Sequence, residues 1–119
     1  MSATPKKEVS FLDLIFFTGL KSKNHYPLDK LQSGICRSIQ DRLGFYCVDL
    51  NESLTSVVFA YEKSPGVAEI WFLGGRLQDI PFLFKQFKLV RPDIKYLVGQ
   101  RKHRAIKYSV EKLAKYFHV

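Results

Sequence analysis

The amino-acid sequence predicts an α+β fold, layered (α/β) with helices packed on a mostly antiparallel sheet. Helical and strand periodicities fall in blocks, in the order α-α-β-β-β-α-β-β-α. The strand-like runs are separated by short turns, as antiparallel hairpins require. With 119 residues and 46% hydrophobic composition, the chain can bury one sizeable core.

Residues 1–8 are expected to be a flexible tail, and residues 9–119 a single domain. Lys6 and Lys7 precede an apolar stretch, but Glu8 and Asp13 interrupt the pattern of a signal peptide. Ser10 is placed to cap a helix running to about Leu20, with Phe11, Leu14, Ile15 and Phe17 inward. Residues 21–26 form a polar loop. Pro27 opens a second helix, whose face is Leu28, Leu31, Ile35, Ile39 and Leu43. Gly44 is expected to end it.

Three strands follow, Phe45–Leu50, Leu54–Glu62 and Val67–Leu73, joined by turns at Asn51-Glu52 and Ser64-Pro65-Gly66. Gly74-Gly75 breaks the third strand, and Asp79 precedes Ile80-Pro81 as the cap of a helix reaching about Val90. Ile94–Val98 is a short strand, residues 99–103 a polar turn, and Arg104–Tyr108 the partner strand. Ser109 caps a last helix with Val110, Leu113, Ala114 and Phe117 inward.

Charge is unevenly placed. Residues 1–84 hold nine basic and nine acidic residues, whereas residues 85–119 hold ten basic residues against Asp93 and Glu111, the whole net charge of +8. A one-sided basic surface suits an acidic or phosphate-bearing partner. Basic surface without a partner is the alternative. No apolar run approaches the roughly 18 residues of a membrane span. Cys36 and Cys47 have no zinc or redox spacing and read as buried free thiols in a reducing cytoplasm. No cluster of metal-ligand spacing is present either.

Three places carry candidate chemistry. A strand, a glycine turn and a capped helix point backbone N–H groups at an anion, so Leu73, Gly74, Gly75, Arg76 and Gln78 are the candidate binding turn. The same turn can be only a tight connection. If it is a site, Gly75→Val is expected to remove binding and spare the fold. Asp79 either caps its helix or positions a cation or substrate. His25, in a loop between helices, is the best-placed general base, with Lys23 beside it as a substitute. Arg101, Lys102, His103 and Arg104, with Lys107 and flanking Tyr96 and Tyr108, form a basic hairpin tip. That tip suits coenzyme A phosphates, an acidic carrier protein, nucleic acid with tyrosines for stacking, or a contact in a larger assembly.

The element order, the Pro27 helix start, the Trp71-Phe72 strand and the basic C-terminal hairpin resemble the GNAT acyltransferase fold. The similarity runs from about Phe11 to Phe117. The chain resembles more narrowly the toxin-activating lysine acyltransferases and small acetyltransferase-like proteins encoded by phages. That resemblance implies an acyl donor, acyl-CoA or acyl carrier protein, bound at the Gly74-Gly75 turn. It also implies transfer to a protein or amine, and a phage or mobile-element origin, in host cytoplasm or virion. The chain departs from the family at its motifs. Gly74 to Asp79 replaces the family's Arg/Gln-x-x-Gly-x-Gly/Ala turn. Lys23 stands where the toxin-activating branch has its histidine, and Gly74 where it has its aspartate. The same scaffold without those groups could be a non-enzymatic basic module, nucleic-acid-binding or virion-structural.

Overall fold

The computed structural model describes residues 9–22, 26–101 and 103–119, with Arg101 as backbone only. The first helix, α1 (Phe11–Lys21), starts where a capping box closes. Ser10 Oγ accepts the Asp13 N–H at 3.1 Å, and Asp13 Oδ2 accepts the Ser10 N–H at 3.0 Å. Leu14, Ile15 and Thr18 are buried, whereas Phe11 lies at the exposed margin and Phe17 is half-buried.

The second helix, α2 (Leu28–Gln40), buries Leu31, Ile35 and Ser38, while Leu28 and Ile39 are exposed. It stops earlier than its glycine suggests. Arg42 takes a left-handed conformation, and the Leu43 N–H returns to the Ser38 carbonyl at 2.8 Å. Leu43 is fully buried but lies beyond the helix, and Gly44 begins a strand.

The remaining elements are β1 (Gly44–Val48), β2 (Leu54–Ser64), β3 (Val67–Gly75), a 3-10 turn at Leu77–Asp79, α3 (Ile80–Val90), β4 (Tyr96–Arg101), β5 (Arg104–Ser109) and α4 (Val110–Phe117). The strands form one sheet in the order β1-β2-β3-β4-β5. All neighbours are antiparallel except β3 and β4, which run parallel. Among the described residues the class is therefore α+β, with a mixed five-stranded sheet and four α-helices.

Strand alternation divides the core in two. Val57 and Phe59 face α1 and α2, with Leu14, Ile15 and Ile35. Phe45, Ala60, Ala68 and Leu97 face the other way, with Leu83, Phe84 and Phe87 of α3 and Ala114 of α4. Burying these side chains is the main stabilising term, at about 25 cal/mol per Å2 of apolar area.

Strand boundaries differ from expectation: β1 ends at Val48 rather than Leu50, β2 runs on to Ser64, and β5 to Ser109. The third strand runs through Gly74 and Gly75, which pair with Val57 and Ser56 of β2. The fourth starts at Tyr96, and Gly99 to Arg101 continue it, pairing with β5 rather than forming a turn. Ile94 sits buried before the strand rather than within it. A cationic tie closes the far end of the sheet. Arg91 bridges to Glu62 of β2 and to Asp93, at 2.9 Å for the latter, and also donates to the Asp41 carbonyl after α2.

No described helix is long and apolar enough to cross a membrane. The cysteines are free, but neither is buried. Cys36 is exposed on α2, where its position falls on the outer face, and Cys47 is half-buried at the edge strand β1.

Candidate functional site

The centre of the sheet holds a break in pairing. The parallel ladder between β3 and β4 covers only Val67–Tyr96, Ala68–Leu97 and Glu69–Val98. Beyond Glu69 the two strands part. β3 continues against β2 as far as Gly75, and β4 continues against β5 as far as Arg101. The break coincides with a bulge. Phe59 faces Phe72 and Ala60 faces Ile70, so Trp71 is the extra residue on β3. A bulge and an open strand edge leave backbone N–H and C=O groups outside the ladder, ready for another partner.

Two clefts meet at this break. On the α3–α4 face, a cleft of about 170 Å3 is lined almost wholly by apolar side chains, among them Ile70, Leu73, Leu97, Phe84 and Phe117. On the α1–α2 face, a more polar hollow of about 370 Å3 is lined by Tyr26, Tyr61, Glu69, Ile70, Trp71 and Gln100. Ile70 lines both. The parting strands thus have a dry cleft on one face of the sheet and a polar hollow on the other, with Ile70 between them.

The polar side has an ordered interior. Tyr61 donates its hydroxyl to the Glu69 carboxylate across the β2–β3 ladder. That carboxylate, with burial second, pushes the Tyr61 hydroxyl above its ordinary pKa. The Arg37 guanidinium lies 4.1 Å from the Tyr61 ring centroid. Tyr26 leans on Trp71 with ring centroids 5.6 Å apart.

The candidate residues are placed as follows. Leu73 lines the apolar cleft. Gly74 and Gly75 are strand residues rather than a turn, and the chain reverses in the 3-10 turn after Arg76. Gly75 holds a position that any side chain would strain. Its φ is +119°, and an added Cβ would lie 2.2 Å from the Thr55 carbonyl oxygen. A valine there could not spare the fold, contrary to expectation.

Asp79 does not cap α3 with its side chain. It is buried, and Oδ2 accepts Thr55 Oγ1 at 2.6 Å and Ser56 Oγ at 2.8 Å. Arg76 Nη2 donates to its Oδ1 at 3.0 Å, and the Arg76 N–H donates to the Thr55 carbonyl at 3.2 Å. The Arg76 guanidinium, aided by the two hydroxyls, lowers the Asp79 pKa to about 2. A fixed anion stabilised by the turn's own arginine occupies the place foreseen for a bound anion. Gln78 is exposed beside it.

Lys23, His25 and Lys102 lie outside the described residues. His103 and Arg104 are exposed at the tip between β4 and β5, and His103 takes a left-handed conformation. Lys107 lies with Nζ 4.2 Å from the Tyr96 ring centroid. The basic tip and the glycine strand end are therefore on separate elements, with the parted strands between them.

Glu69, Tyr61 and Tyr26 were not singled out from the sequence. Hairpin counting about Ser64-Pro65-Gly66 sets Tyr61 opposite Glu69, and that was the available signal. Among the described residues no group of His, Cys, Asp or Glu could hold a metal ion. No protein-family model matches the chain, and no curated protein matches it in sequence.

Proposed function

We propose that this domain is a GNAT-like acyltransferase that takes an acyl thioester into the opening between β3 and β4. One observation carries the reading: parallel pairing stops after Glu69–Val98 at a bulge, where a dry cleft and a polar hollow meet. The acyl group lies in the apolar cleft, its carbonyl facing open backbone N–H groups near Trp71. Such donors stabilise the oxyanion of a tetrahedral intermediate. An acceptor amine enters from the polar hollow. Its nitrogen attacks the thioester carbon, the C–S bond breaks, and the thiolate leaves and takes up a proton. Glu69, oriented by Tyr61, accepts the proton lost by the amine, directly or through one water.

Calorimetric titration of the whole chain with acetyl-CoA and a long-chain acyl-CoA tests this. Saturable heat is expected, and Leu73→Trp, which fills the cleft, should remove it. Glu69→Gln should leave donor binding intact and slow transfer to an amine by roughly 100-fold. Absence of heat with both donors at millimolar concentration would overturn the proposal.

A further inference from the structure

We propose that the outer strand pair β4–β5 and α4 form a binding surface for single-stranded nucleic acid at the β5 edge of the sheet, bordering the apolar cleft at Tyr108 and Leu113. The helices α1 and α2 pack on β1, β2 and β3. They leave the corresponding face of the outer strands to solvent, and there Tyr96 and Lys107 are exposed. One concavity of about 530 Å3 joins them to Tyr108, Lys112 and Tyr116.

Three aromatic rings reach solvent in this concavity. Tyr116 is 77% exposed, Tyr96 42% and Tyr108 36%. Surface tyrosines singly mean little, but Tyr96 and Tyr116 flank two lysines here, and Tyr108 turns to the other face of β5 beside Leu97, so rings for stacking are edged with charge. The local balance is cationic. Of the acidic residues in 85–119, Glu111 lies 3.8 Å from Lys115 and Asp93 is held by Arg91. No ion pair among the described residues engages Arg104, Lys107 or Lys112. Lys107 already rests over the Tyr96 ring, so a base stacked on that ring would bring its phosphate to the ammonium group.

The rings decide between partners. An acidic protein surface would satisfy the lysines and cover the rings, but it would gain nothing from the stacking of Lys107 over Tyr96. A duplex keeps its base faces inside its own stack. A single strand offers phosphates and free base faces together.

Fluorescence anisotropy of the full chain with labelled oligothymidylate, oligoadenylate and a duplex of equal length, over a salt series, tests this. Both single strands should bind more tightly than the duplex. The log–log salt slope should be about −0.7 per phosphate contacted. Lys107→Gln with Lys112→Gln should flatten that slope by roughly 1.4. Tyr116→Leu, at an exposed position that leaves folding intact, should weaken single-strand binding roughly ten-fold at constant salt slope. Lack of binding at low salt overturns the proposal. Binding unaffected by Tyr116→Leu, or equal for duplex and single strand, also overturns it, since that is the behaviour of diffuse charge. So does capture of an acidic carrier protein that the oligonucleotides fail to displace.

Discussion

Two neighbouring residues show how much one position can hold. Gly75 adopts φ +119° with the Thr55 carbonyl against its α-carbon, so any side chain meets backbone rather than a movable group. Gly75→Ala should cost at least about 2 kcal/mol, read as a lower urea midpoint. Asp79 contributes through charge. Its carboxyl titrates at about 2 in the fold against 3.8 ordinarily, so the folded pKa is depressed. The stability it confers is present above pH 4 and is lost as pH falls from about 4 to about 2. Linkage sets that contribution at no more than about 2–3 kcal/mol, and the solvent around half-exposed Arg76 reduces it. Urea titrations at descending pH should show the wild type losing more stability across this window than Asp79→Asn. Equal losses would mean that the carboxylate is not stabilised by its neighbours.

At the scale of elements, α2 approaches β3 through Gly34. A Cβ at that position would sit 2.8 Å from the Trp71 ring. The ring is hemmed by Tyr26, Phe59 and Phe72 and has little room to move. Alanine raises helix propensity by about 1 kcal/mol, while overpacking costs about 1–3 kcal/mol, so the substitution should destabilise or at best break even. Trp71 is the chain's one tryptophan, which makes its emission a direct reporter. Gly34→Ala should shift that emission and its quenching by acrylamide. An unchanged spectrum would show that α2 yields instead of the ring. Because Trp71 is also the bulge residue, a shift here should carry into the opening between β3 and β4.

For the molecule as a whole, the sheet is continuous at one end and open at the other. β2 is paired on both sides and carries buried side chains on both faces, so its amides should be the last to exchange with solvent. On β3, amides turned toward β4 should exchange markedly faster beyond Glu69 than those turned toward β2. Residue-resolved hydrogen exchange reads this difference. Uniform protection along β3 would mean that the strands close in solution. The basic surface lies outside this opening, on β5 and α4. Tyr108 and Leu113 border both that surface and the apolar cleft, so the two adjoin at the β5 edge.

Local rules made most elements legible. Ser10 and Ser109 cap α1 and α4 because a hydroxyl before an amphipathic run accepts a nearby backbone N–H, which needs no distant partner. The three-strand meander follows from alternation and short turns. What neighbours supply from afar was not legible. Gly44 looked like a helix stop, but the Ser38 carbonyl took the Leu43 N–H and ended α2 earlier. Gly74-Gly75 looked like a turn, but β2 pairs with both residues and extends the strand. Asp79 looked like a cap, but Thr55 and Ser56, more than twenty residues away, claim its carboxylate. By itself the sequence determined the helices, the hairpins and the concentration of positive charge, since each depends on residues close in the chain. The tertiary structure alone decided where β3 and β4 part, that Trp71 bulges there, and that Glu69 and Tyr61 meet beside it. Register between strands is fixed by burial on both faces at once, and no local pattern encodes that.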